Sequence, residues 1–175
     1  MTPTPTPVRY DRISRWLHWG MAGLFAWIFV SAGAHALAER SALDALLWPT
    51  HKPVGTLLLA LLLARVAWAL ARRRRPPAVS ALARLGHLGL YALMLAVPAI
   101  GLLRQWGSGR ASAPFGLPLL PGFDVSQKVE WTLQLGRLLH GNLGWALLAL
   151  VLGHVAAALW HERAGHTPVL ARMAG

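Results

Sequence analysis

Four long apolar runs dominate this chain, and they decide what it can fold into. They occupy residues 16–37, 53–70, 85–103 and 138–160. An α-helix rises about 1.5 Å per residue, so about 20 apolar residues match the hydrocarbon thickness of a bilayer. Buried helices of a soluble protein are the alternative. Four consecutive runs of this length, however, leave almost no polar face for water. Composition agrees: charged residues make up 13% of the chain, where a soluble domain carries about 25%. The mean hydropathy is +0.46. At 175 residues the chain is long enough for one compact domain. We therefore expect residues 1–175 to form a single all-α domain, a transmembrane four-helix bundle.

The formal net charge is +11. The basic residues stand between the apolar runs and accompany no nucleic-acid-reading motif, so no nucleic-acid partner is expected. Arg9, Arg12 and Arg15 precede the first run. Arg72, Arg73, Arg74 and Arg75, then Pro76, Pro77 and Arg84, separate the second from the third. Arg163 and Arg172 follow the fourth. The other two connections are nearly balanced, with Glu39, Arg40, Asp44 and Lys52 in one and Arg104, Arg110, Asp124, Lys128 and Glu130 in the other. Arginine-rich connections remain cytoplasmic, so both termini should be cytoplasmic and the chain multi-pass. The Thr/Pro-rich residues 1–9 read as a tail, and the first apolar run is too long for a signal-peptide core. Residues 104–126, rich in Gly and Pro, should cap the outer side. Ser126 offers an N-cap that would extend the fourth helix outward beyond the bilayer.

Cysteine is absent, which excludes disulfides, thiolate metal sites, a Cys nucleophile and covalent attachment of a c-type haem. Histidine is the remaining candidate ligand, at positions 18, 35, 51, 87, 140, 154, 161 and 166. Ionisable groups inside a bilayer are costly and usually functional. His18 lies in the first turn of span one, near the inner surface. His51 and His140 begin spans two and four, near the outer surface. His154 follows His140 by fourteen residues, about 21 Å of rise and close to a whole number of turns. These two therefore share one face of a helix at two depths. Depth pairs His51 with His140 on the outer side and His18 with His154 on the inner side. Two such pairs suit two haems with imidazole on both axial positions, and iron so ligated favours electron transfer over oxygen chemistry. Two other readings stay open. Single histidines can simply bond a neighbouring helix, and histidine also binds zinc. The two pairs, about 20 Å apart, are too distant to share one metal.

The residues also resemble a known family. Arg9–Tyr–Asp–Arg–Ile–Ser–Arg–Trp–Leu–His–Trp19, His51–Lys–Pro–Val–Gly55, Leu85–Gly–His–Leu–Gly–Leu–Tyr91, Pro98–Ala–Ile–Gly101, and His140 followed by His154–Val–Ala–Ala–Ala–Leu–Trp–His161 occur in order along nearly the whole chain. Together they resemble the bacterial cytochrome b-561 family of small di-haem membrane proteins, and the closing residues 167–173 look similar too. The resemblance implies that His18, His51, His140 and His154 bind haem iron, the set that depth selects. It also implies electron transfer to or from a membrane quinone such as ubiquinone. Some members are thought to oxidise superoxide. Similar bundles serve as cytochrome b anchor subunits of hydrogenases and dehydrogenases.

Further candidates surround these four. Arg65 lies fourteen residues after His51, on the same face and at the inner depth. A haem propionate is a fitting partner for it, an Arg here accords with the resemblance, and snorkelling to the surface is the alternative. His87, at the inner start of span three, could meet a propionate or a quinone, or serve as a surface group. Arg15 and Arg84 are further propionate candidates. His35, off the face of His18, reads as interfacial; His161 and His166 read as solvated. Gly55, Gly86, Gly89, Gly101 and Gly144 allow close approach of helices or of a flat macrocycle. Trp16, Trp19, Trp48 and Trp160 fit an interfacial belt. The expectation is thus a cytochrome b with two haem b groups, moving electrons between a quinone and a periplasmic donor or redox partner protein, with lipid around it. It has no bond-making catalytic residues to assign. The rival readings are an anchor subunit using the same haems, and a haem-free transporter or assembly factor.

Overall fold

The computed structural model describes residues 9–72, 80–164 and 169–174. Arg73, Arg74, Arg75, Pro76, Pro77, His166 and Thr167 lie outside the described residues. Three helices start at side-chain caps that satisfy otherwise orphaned backbone donors. Asp11 caps α1 (Arg12–Leu37), accepting from the Ser14 amide at 3.1 Å and its hydroxyl at 2.8 Å. Ser41 caps α2 (Ala42–Ala71) through the Asp44 amide, and Ser80 caps α3 (Ala81–Gly107) through the Ala83 amide. The caps explain why these helices outrun their apolar stretches. In α2 the polar first turns belong to the helix, and Pro49 and Pro53 sit inside it. Each proline removes one backbone donor; between them the Thr50 hydroxyl bonds the Leu47 carbonyl at 2.7 Å.

The last span is one rod: α4 (Glu130–Leu135), a single wide π turn (Gly136–His140), then α5 (Gly141–Arg163). Its outward extension is present, but Ser126 is not its cap. Asp124 instead accepts from the Ser126 amide at 2.9 Å, closing a local turn at Val125–Gln127. Lys128 and Val129 are then non-helical, and the rod begins at Glu130. A short α6 (Val169–Ala174) follows. Four of these helical segments are long and apolar enough to cross a membrane: Arg12–Leu37, Ala42–Ala71, Ala81–Gly107 and Glu130–Arg163.

The bundle packs in chain order, α1 on α2, α2 on α3 and α3 on α5. The main buried cluster joins Met21 and Ile28 of α1 to Leu58 and Leu62 of α2, with Tyr91 and Met94 of α3 alongside. Val30, Leu63, Leu88 and Leu152 are each more than half exposed. Leaving such side chains in water forgoes about 1.5–3 kcal/mol apiece, so the outer surface suits lipid. At one end the Tyr10 amide donates to the Arg172 carbonyl and the Trp19 indole to the Met173 carbonyl, each at 3.0 Å. Both chain ends therefore share the end that carries Arg9, Arg12, Arg15, Arg72, Arg84 and Arg163. Asp11 also accepts from the Trp68 indole at 3.1 Å, tying α1 to the end of α2.

At the opposite end α3 and the last rod meet at three small-for-large contacts. A Cβ on Gly107 would run into Thr132, and one on Gly136 into Arg104. One on Gly101 would sit 2.8 Å from Cε1 of His140. The helices run antiparallel, so these steps form a zipper that closes on His140. Residues beyond α3 fold over this end. Ser112 and Leu120 pair there, and Lys52 Nζ donates to Gln105 Oε1 at 2.9 Å.

Candidate functional site

Four histidines meet in two pairs, one toward each end of the bundle. At the end opposite the arginine-rich one, the His51 and His140 ring centroids are 6.2 Å apart with planes at 74°. Both rings are fixed from behind. His140 Nδ1 lies 2.9 Å from the Val97 carbonyl. A carbonyl only accepts, so Nδ1 carries the proton and Nε2 keeps its lone pair. His51 Nδ1 lies 3.0 Å from the Ser31 hydroxyl oxygen. That hydroxyl spends its own proton on the Ile28 carbonyl at 2.8 Å. Ser31 therefore accepts from His51 Nδ1, and His51 Nε2 is again the free lone pair. Backbone and hydroxyl partners on the far nitrogen are how metal-ligating imidazoles are usually held.

Toward the arginine-rich end, His18 and His154 are 6.3 Å apart with planes at 77°. His87 joins them, 5.3 Å from His154. Arg65 donates from Nη1 to His18 Nδ1 at 3.1 Å and from Nε to the Tyr91 hydroxyl at 3.0 Å. The guanidinium thus turns into the bundle and does not snorkel. Its bond has a consequence for His18. Arginine only donates, so His18 Nδ1 accepts and the neutral ring carries its proton on Nε2. The two pairs share a spacing but differ in proton placement.

The spacing can be tested against a metal between the rings. With metal–nitrogen bonds of about 2.0 Å and ring nitrogens ~1.1 Å from the ring centre, imidazoles on opposite sides of one ion have centroids ~6.2 Å apart. Both pairs fit that value. The outer pair also offers the required lone pairs, while the inner pair needs Arg65 to release His18 Nδ1. Zinc sites usually gather four ligands. Among the described residues no group of three or more His, Asp or Glu is arranged to hold a metal ion. A group that brings its own equatorial donors, as a porphyrin does, suits two imidazoles better.

Sequence reasoning missed several contributors. Ser31, the Val97 carbonyl and Tyr91 hold rings or the guanidinium, and nothing in their spacing marks them. His35, expected at the interface, bonds Asp44 at 3.0 Å and stacks on Trp48. Among the described residues Arg15 and Arg84 make no hydrogen bond or ion pair with the inner cluster.

Comparison with known proteins accords with this geometry. The family model described as prokaryotic cytochrome b561 matches residues 9–175. Cytochrome b561 homolog 2 of Escherichia coli (strain K12) is 29% identical, with the alignment covering 100% of this chain and 96% of the relative. The probable superoxide oxidase CybB of Yersinia pestis is 26% identical, covering 94% of this chain and 95% of the relative. The chain belongs to the prokaryotic cytochrome b561 family: it is a multi-pass bacterial membrane protein and a b-type cytochrome of electron transfer.

Proposed function

We propose that the chain binds two haem b groups, one between His51 and His140 and one between His18 and His154, and moves electrons across a bacterial inner membrane. The observation that carries this reading is the pair of histidine separations, 6.2 Å and 6.3 Å, each matching two imidazoles on one iron. His51 and His140 would hold one haem and His18 and His154 the other, and each haem would supply one-electron iron chemistry there. The chain's own residues do the rest. Val97 and Ser31 hold the outer imidazoles in the ligating tautomer. Arg65, released from His18, pairs with haem propionates, and His87 lines the same cluster. Since α5 is regular between His140 and His154, the two levels stand about 21 Å apart along it, the reach of a transmembrane relay.

The positive-inside rule supports placing the arginine-rich end, with both termini, in the cytoplasm. A membrane quinone is the proposed partner at one end of the relay. The Yersinia pestis relative, a probable superoxide oxidase, supports superoxide as a one-electron donor at the outer end. Superoxide gives up one electron to become dioxygen; two such electrons with two protons reduce a quinone to its quinol. The test is optical and stoichiometric. Protein made with adequate haem should show a reduced-minus-oxidised b-type spectrum and two haems per chain. His140→Ala and His154→Ala should each retain one. No Soret band in the unaltered protein, or two haems in either variant, overturns the assignment.

A further inference from the structure

The connection between α1 and α2 carries a column of rings that ends on a proposed iron ligand. Asp44, Trp48 and His51 fall four and three residues apart on α2, so they form a stripe on one face. His35, from the last turn of α1, lies against that stripe. Its ring is stacked on Trp48 with centroids 3.7 Å apart and planes within 6°. Trp48 in turn stands 4.8 Å from His51 at 34°. The far end of the column is polar and fixed. Asp44 takes His35 Nδ1 at 3.0 Å on one oxygen and the Arg40 amide at 2.9 Å on the other. Its own amide donates to Ser41 Oγ at 3.1 Å. Arg40 reaches that amide geometry at a φ of 66°, a conformation that non-glycine residues seldom adopt.

Helix-hairpin closure alone would need only apolar bulk here. Instead a largely buried carboxylate orients an imidazole flat on an indole, and the indole stands next to His51. Trp48 is 38% exposed, so the column also reaches the surface. Stacked π faces carry electron density across a contact that aliphatic side chains would leave as a longer through-space jump.

We infer that Trp48 and His35 form the path by which electrons pass between the His51/His140 iron site and a one-electron redox partner at that end of the bundle. The inference rests on the haem assignment above and adds the surface at which exchange takes place. Neither ring is oxidised in net. One electron leaves the donor and arrives on the acceptor, with no bond made or broken in the column.

The experiment uses the holo-protein reconstituted in lipid vesicles, chemically reduced and then mixed with external ferricyanide. Each ferricyanide takes one electron and becomes ferrocyanide without crossing the membrane. Vesicles hold both orientations, so oxidation has two phases. Trp48→Leu and His35→Leu should slow one phase several-fold and leave the other. Trp48→Phe and His35→Phe, which keep a stackable ring, should restore most of the rate. Haem content, EPR spectra and midpoint potentials of all four variants should match the unaltered protein. Unchanged phases in Trp48→Leu overturn the inference. So does equal slowing by Leu and Phe, or loss of the His51/His140 haem signal, since each makes the column a structural support. Absence of haem from the unaltered protein overturns the haem assignment instead, so the two failures are told apart.

Discussion

Replacing Gly101 with Ala puts the outer site under a defined load. The new Cβ would lie 2.8 Å from Cε1 and 3.1 Å from Nδ1 of His140. Carbon contacts settle at about 3.5–4.0 Å, so the ring must withdraw by roughly 0.7–1.2 Å. The Val97 bond, now 2.9 Å, does not survive a shift of that size, because side-chain hydrogen bonds end near ~3.5 Å. Losing it costs about 1 kcal/mol, and the crowding another ~1–3 kcal/mol. Alanine returns up to ~1 kcal/mol through its better helix propensity, so the bundle itself should still fold. The proposed iron site would be less forgiving, since metal–ligand distances tolerate only ~0.2 Å. Disturbing the groups that orient a ligand typically weakens metal affinity ~10–100-fold. Gly101→Ala should therefore lose the His51/His140 haem, or hold it with an altered potential, and retain the His18/His154 haem. Pyridine haemochrome quantification and a redox titration read both. Gly89→Ala is the control on the same helix, because its Cβ would meet only Leu150 Cδ1 at 3.4 Å. Two haems with unaltered potentials in Gly101→Ala would refute the argument that this close approach sets the imidazole.

Other perturbations separate the two levels and the seam at the arginine-rich end. Ser31→Ala removes the acceptor of His51 Nδ1 and should weaken haem at the outer level alone, read as faster haem loss to apomyoglobin. Arg65→Leu should shift the midpoint potential and retention of the inner haem and leave the outer one unchanged, with Arg65→Lys intermediate because it restores charge without the planar fork. Burial pushes the Asp11 carboxyl up, but bonds from Ser14 and Trp68 and the nearby Arg72 charge outweigh it and hold it below 3.8. A depressed carboxylate stabilises the fold above its unfolded value of about 3.9 and loses that effect as pH falls through the folded one. Acidification below about pH 4 should therefore loosen the α1–α2 seam, seen as a change in tryptophan emission, and Asp11→Asn should flatten that pH dependence.

The bundle was legible in the sequence because lipid imposes few solutions. Runs of span length must be helices, and arginine placement separates the two ends. Helix ends were less legible. Asp11, Ser41 and Ser80 extend the helices through polar turns that hydropathy ignores. Pro49 and Pro53 look like a boundary, yet both stand inside α2. Ser126 looks like a cap but is itself held by Asp124, and a one-dimensional pattern cannot say which of two neighbouring polar groups bonds the other.

Which histidine rings lie near each other follows from depth, because rise per residue is nearly constant along a helix and the π turn ends at His140. What holds each ring does not. The support for His140 is a backbone carbonyl of α3, which no side-chain pattern marks, and its position depends on a π turn that ends at the histidine itself. Had Gly136–His140 been an ordinary α turn, the ring would project at a different angle from the same sequence. The support for His18 is stranger from the sequence side. Arg65, a propionate candidate in the sequence, points its guanidinium at an imidazole nitrogen. A donor there fixes the proton on Nε2, opposite to the arrangement at His140. The two levels are alike in spacing and unlike in protonation. A symmetric reading of four histidines therefore misses that the protein leaves Nε2 free on both outer rings but protonated on His18.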